Sequence, residues 1–240
     1  MIHDKVLETN SMSPQANVER LRHAAPVILP SLLLCDFGNL EREIRLLEAA
    51  GAEALHLDVM DGCFVPNITY GMPIVAAARR LTDLPLDVHL MIMDPAKYAE
   101  SFRDAGADLL TIHVETNGDT RLVLEQIRGL GMGTGVALDP ATPLSRIEDC
   151  LDLCDLVLVM SVPAGFGKQP FDAVALEKLR RLRELAGDRL MLEVDGGVNR
   201  ETIARCAQAG ADLFVAGSAI FGQDQYGPVL KELSALARAS

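Results

Sequence analysis

A chain of 240 residues, 49% hydrophobic and 23% charged, can close a sizeable core as one large α/β domain or two small ones. No apolar run approaches the roughly 18 to 20 residues that a bilayer span needs, which points to a soluble globular protein with no membrane partner. A net charge of −12 repels phosphate backbones and acidic lipid surfaces, so nucleic-acid binding is set aside.

Residues 1–24 are polar and mixed in charge, with neither the apolar core of a secretory signal nor the Arg-rich character of a transit peptide. They are expected to form an extension, part disordered and helical near Val18–His23. The five cysteines (Cys35, Cys63, Cys150, Cys154, Cys206) make no C-x-x-C pair, which suits a reducing compartment and predicts a cytoplasmic protein. From residue 25 to 240, short runs rich in Val, Ile and Leu begin near Pro26, Ala54, Leu86, Asp108, Gly133, Leu156, Leu190 and Ala211. Each is followed by a helical pattern, and each spacing is close to one βα unit. Three joints repeat almost verbatim, at Ala50-Gly51-Ala52, Ala105-Gly106-Ala107 and Ala209-Gly210-Ala211, where the glycine suits a left-handed helix end. Eight regular units without a composition break predict a single-domain (β/α)8 TIM barrel. An open doubly wound sheet would want a Gly-rich turn after the first strand, and Pro30-Ser31-Leu32-Leu33-Leu34-Cys35-Asp36 has none.

Barrels of this kind carry their chemistry at the C-terminal ends of the strands. Those ends read His56-Leu57-Asp58, Asp87-Val88-His89, Thr111-Ile112-His113 and Glu193-Val194-Asp195. His56 and Asp58, two apart on a strand, leave the same face, and with Leu55 and Leu57 on the other face that shared face is the barrel interior. One buried histidine is ordinarily a core residue with a hydrogen bond. Four ionisable groups converging on one mouth call for a cation, because two carboxylates desolvated side by side repel. His56, Asp58, His89 and Asp195 suit one divalent ion, Zn²⁺ first, with Fe²⁺, Mn²⁺ or Co²⁺ also acceptable. His113 reads as a supporting ring.

The seventh run leads into Asp195-Gly196-Gly197 and the eighth into Ala216-Gly217-Ser218, the two loops from which barrels build phosphate sites. The stretch Ser161-Val162-Pro163-Ala164-Gly165-Phe166-Gly167-Lys168-Gln169-Pro170 reads as a loop able to close over a ligand. Met60, Met91 and Met160 fall one or two residues beyond strand ends, where they either fill gaps or form an apolar ring that dries the site.

These segments, with Phe64-Val65-Pro66-Asn67 and Ala219-Ile220-Phe221, resemble the ribulose-phosphate 3-epimerase family in order from about Ala25 to Gly222. The resemblance implies a homo-oligomeric barrel that interconverts D-ribulose 5-phosphate and D-xylulose 5-phosphate through a metal-stabilised enediolate. It assigns metal binding to His56, Asp58, His89 and Asp195, and acid/base work to Asp58 and Asp195. Substrate contacts would fall at Ser31, His89, Gly165, Phe166, Gly167, Lys168, Gly196, Gly197, Gly217 and Ser218. The bottom-up chemistry agrees, since inverting a carbon beside a carbonyl needs two acid/base groups on opposite faces of a planar intermediate. Three departures stand out: Pro163-Ala164 replaces Asn-Pro in the family loop, Lys168 replaces its last glycine, and Cys63 stands where the family usually has His. A hexulose 6-phosphate (allulose 6-phosphate) 3-epimerase would carry the same catalytic set with a longer pocket. An inactive sugar-phosphate-binding barrel is the alternative of another class. A Schiff-base aldolase is disfavoured, because none of Lys5, Lys97, Lys168, Lys178 and Lys231 falls at a strand end.

Overall fold

The eight apolar runs form eight parallel strands, in a computed structural model that describes residues 12–167 and 169–240. The expected disorder of the first residues and the place of Lys168 fall outside the described residues. The strands are β1 (Val27–Pro30), β2 (Leu55–Met60), β3 (Leu86–Met91), β4 (Leu109–His113), β5 (Gly133–Leu138), β6 (Leu156–Met160), β7 (Met191–Asp195) and β8 (Leu213–Ala216). They pair in the order β1-β8-β7-β6-β5-β4-β3-β2, and a single parallel bridge from Ser31 to His56 closes the ring. This is the (β/α)8 barrel that the alternation predicts, in one domain.

Helices α2 (Leu40–Ala49), α3 (Met72–Leu81), α4 (Ala99–Ala105), α5 (Thr120–Gly129), α6 (Val174–Ala186), α7 (Ile203–Gln208), α8 (Ser218–Phe221) and α9 (Tyr226–Arg238) surround it. Gly51, Gly106 and Gly210 at the three repeated joints all take positive φ, between 88° and 102°. The unit after β5 departs from the pattern. After Pro143, two 3₁₀ turns (Leu144–Arg146 and Glu148–Leu153) take the helix's place.

The helical pattern expected near Val18–His23 is α1 (Pro14–Ala24), longer by a turn because Ser13 caps it and Pro14 is pre-set for a first helical position. Its buried Val18 and Leu21 share one apolar cluster with Val27, Leu109, Leu156, Met191 and Leu213, so α1 packs against the floor of the barrel. Asn17 Nδ2 donates to Asp108 Oδ1 at 2.8 Å and anchors the helix there. Gly133 makes the approach possible, since a Cβ on it would lie 2.5 Å from Val18 Cγ2. With the floor filled by apolar side chains, ionisable residues are left to the middle and upper levels of the interior.

Candidate active site at the barrel mouth

Period-two alternation lifts two ionisable groups from each of three strands into the interior: His56 and Asp58 from β2, Asp87 and His89 from β3, Glu193 and Asp195 from β7. Strand register places His56 opposite Asp87 and Asp58 opposite His89. One nitrogen or oxygen from each of His56, Asp58, His89 and Asp195 can be chosen so that all lie within 4.8 Å of one another, the four residues the sequence singles out. His56 Nδ1 donates to Asp87 Oδ2 at 2.6 Å, so Nε2 is the nitrogen open to a cation. That Nε2 is buried, has no hydrogen-bond partner, and lies 3.3 Å from Asp58 Oδ1. An imidazole held by a carboxylate on one side, with a bare nitrogen turned toward further carboxylates, is a donor set suited to a divalent cation.

The electrostatics also favour positive charge at this point. Burial alone would lower His56, but Asp58 and Asp87 raise it well above the usual imidazole range. Burial would raise Asp58, yet His56 and His89 outweigh that and hold it below the usual carboxylate range. Asp195 is pushed up to about 6 by burial and then by the negative charge of Asp58. Two carboxyls whose surroundings drive them in opposite directions can divide the roles of acid and base between them. Beneath them Glu193 is raised well above its usual range, first by burial and then by Asp87.

Ser31, following β1, donates from Oγ to Asp58 Oδ2 at 2.5 Å. It opens with Asp58 and Asp195 onto a cavity of about 250 Å³. Gly165–Gly167, Gly196–Gly197 and Gly217–Ser218 also line it. The glycines there are sterically required: a Cβ on Gly196 would lie 2.5 Å from Val162 Cγ2, and one on Gly197 would lie 2.8 Å from the backbone nitrogen of Phe171. Met60, Met91 and Met160 also line the cavity, as the last residues of β2, β3 and β6 rather than residues beyond them. His89 differs from the expectation of a substrate contact, for its ring is fully buried and absent from the cavity wall. The loop after β6 is tied down, with Gly165 O accepting from Asn67 Nδ2 at 2.8 Å and Ala164 N donating to Asp139 Oδ1 at 3.2 Å. Cys63 is an exposed thiol on the loop after β2.

Sequence reasoning passed over Asp87 and Glu193 as site residues, although each stands two positions before a chosen ligand and the alternation applied to His56 and Asp58 covers them equally. Glu115 was passed over as well. It stands two positions after His113, just beyond the end of β4, and its Oε2 lies 3.1 Å from His113 Nδ1.

Fold and site together define a (β/α)8-barrel protein with a cation-competent His/Asp cluster beneath a glycine-walled cavity. Residues 27–221 match the Ribulose-phosphate 3 epimerase family. The chain is 46% identical over 210 residues to the ribulose-phosphate 3-epimerase of Bacillus subtilis, covering 86% of this chain and 97% of that protein. It is 48% identical over 205 residues to the Synechocystis enzyme of the same name, covering 83% of this chain and 89% of that one. A chloroplastic ribulose-5-phosphate-3-epimerase of Arabidopsis thaliana is 42% identical over 228 residues, or 93% of this chain and 81% of the relative. Among solved structures, the 3-hexulose-6-phosphate synthase of Salmonella typhimurium superposes with a TM-score of 0.66 at 17% identity over 89% of this chain and 99% of that one, a likeness of fold alone. The chain belongs to the ribulose-phosphate 3-epimerase family.

Proposed function

We propose that the protein is an isomerase that interconverts D-ribulose 5-phosphate and D-xylulose 5-phosphate, a step of pentose phosphate metabolism, with Asp58 and Asp195 as its acid/base pair. The observation that carries this reading is the convergence of His56, Asp58, His89 and Asp195 at the foot of the cavity, in a chain of this family. A divalent ion held by those four would supply Lewis-acid stabilisation of the oxyanion that forms at the substrate carbonyl. Zn²⁺ suits the two imidazoles and two carboxylates best, and Fe²⁺, Mn²⁺ or Co²⁺ are acceptable.

The protein's own part is to move a proton. A carboxylate oxygen of one aspartate takes the proton from C3, and the C–H electron pair becomes the double bond of an enediolate while the carbonyl electrons move to oxygen. The other aspartate, protonated, then delivers its proton to the opposite face of C3 as the carbonyl re-forms. The reverse direction exchanges the two roles. Asp195 stands at about 6 and Asp58 is held low, so Asp195 is the one of the two that more readily takes up the proton this scheme requires. Ser31 holds Asp58 in place through its 2.5 Å hydrogen bond. Backbone N–H groups of the Gly196–Gly197 and Gly217–Ser218 turns, with Gly165, Phe166, Gly167 and Lys168 of the loop after β6, would hold the phosphate. Met60, Met91 and Met160 exclude water around the reacting carbon. Homo-oligomeric assembly and cytoplasmic residence belong to the same reading; among the described residues, no helix is long and apolar enough to cross a membrane.

The test is solvent-deuterium incorporation at C3 of ribulose 5-phosphate, followed by NMR with chelated protein and with Zn²⁺- or Mn²⁺-restored protein in parallel. Exchange and xylulose 5-phosphate formation are expected only with metal. Turnover of allulose 6-phosphate in preference to the pentulose, or binding without exchange, would overturn the assignment.

A further inference from the structure

His89 has two ring nitrogens, and each has a close polar neighbour. Nδ1 lies 3.2 Å from Asp58 Oδ1, and Nε2 lies 2.8 Å from Nε2 of His113. Two imidazole nitrogens at that separation share one hydrogen, so one ring donates and the other accepts. The direction is settled further out. His113 Nδ1 lies 3.1 Å from Glu115 Oε2, and the other oxygen of the same carboxylate, Oε1, accepts the Asp139 backbone N–H at 2.9 Å. Glu115 therefore accepts at both ends, and the hydrogen of His113 resides on Nδ1. Its Nε2 then carries a lone pair, the shared hydrogen belongs to His89 Nε2, and His89 Nδ1 is left bare toward Asp58 and the cation site.

The ring that relays this arrangement has little freedom to turn. His113 is fully buried, stacks on His89 with centroids 5.0 Å apart and planes at 25°, and has Phe64 on it at 4.8 Å. His56 is set by the same logic from a different partner, through its 2.6 Å bond to Asp87. Each histidine of the cluster thus has its own carboxylate, one in direct contact and one through a second imidazole.

We infer that Glu115 and His113 form a positioning pair that holds His89 in the tautomer whose Nδ1 faces the cation site, and that they thereby set the affinity of the site for a divalent ion. Neither residue lines the cavity, so neither touches substrate. The inference rests on the metal-dependent reading of the site. It is specific in what it requires: an acceptor at the position of His113 Nε2 and a negative charge behind it, rather than bulk. Loss of an outer hydrogen-bond partner of this type weakens metal binding by about 10- to 100-fold.

The experiment measures Zn²⁺ dissociation constants by chelator competition without substrate, for the parent and for His113→Leu, His113→Gln and Glu115→Gln. Visible absorption of the Co²⁺-loaded proteins and thermal unfolding of the metal-free proteins are recorded alongside. His113→Leu, which offers His89 no acceptor, is expected to bind Zn²⁺ about 10- to 100-fold more weakly and to shift the Co²⁺ spectrum. His113→Gln, whose amide oxygen can accept from His89 Nε2, should recover most of that loss. Glu115→Gln cannot accept from both His113 and Asp139, so a several-fold loss is expected, and this variant carries the test if His113→Leu fails to fold. Parent-like affinity in folded Glu115→Gln and His113→Leu, or Leu and Gln variants that are alike, would overturn the inference while leaving the metal site intact. A parent that binds no Zn²⁺ would overturn the metal reading and this inference together.

Discussion

Removing the charge of Asp195 should abolish turnover and at the same time stabilise the metal-free barrel. In the folded chain its carboxyl stands at about 6 against an ordinary 3.8, raised by burial and by Asp58. A gap of about two units corresponds to about 3 kcal/mol at 1.36 kcal/mol per unit. Asp195 is partly open to the cavity, so water reduces the cost to about 1–2 kcal/mol. Because the folded value is the higher one, the cost is nil below the unfolded value near 3.8, grows as pH rises toward 6, and is complete above it. Asp195→Asn removes the charge but keeps the shape. Calorimetry in the presence of chelator should therefore show the variant melting higher than the parent by about 2–8 °C at pH 8, with most of the difference gone at pH 4. A variant that melts lower at pH 8, or whose advantage is the same at both pH values, would refute the claim that this carboxyl is held against a desolvation cost. A gain in stability beside a loss of turnover is the signature of a group kept for chemistry at the expense of stability.

Two further outcomes follow from single contacts. Ser31→Ala deletes the hydroxyl that donates to Asp58 at 2.5 Å, a charged hydrogen bond worth about 1.5–3 kcal/mol, so kcat/KM should fall by about 10- to 100-fold. An unchanged kcat/KM would show that Ser31 does not act through Asp58. Leu21→Ala, in the fully buried floor, should lower stability by about 2–5 kcal/mol in a denaturant titration while leaving KM unchanged, and parent-like stability would show that α1 does not contribute to the barrel core.

The barrel was legible because each βα unit repeats the same local physics: a short β-branched run buried on both faces, an amphipathic helix, and a glycine where the chain must turn left-handed. The one failure of that rule is the unit after β5, where two 3₁₀ turns stand for the helix. His56 and Asp58 could be placed on a common inward face by alternation alone, and the same rule reaches Asp87 and Glu193 once the strands are known to face a shared interior.

What the sequence alone determined is therefore everything written in its own periodicity: the eight strands, their inward faces, the four candidate ligands and the glycine turns. Only the tertiary structure decided which groups meet across the ring. The register of β2 on β3 puts His56 against Asp87, and closure of the barrel brings Asp195 of β7 to Asp58 of β2. The same closure leaves His89 behind the cavity wall, joined through His113 to Glu115. The reason is physical: local patterns fix the direction of a side chain, but its hydrogen-bond partners and its solvation depend on distances between strands that are far apart in the chain.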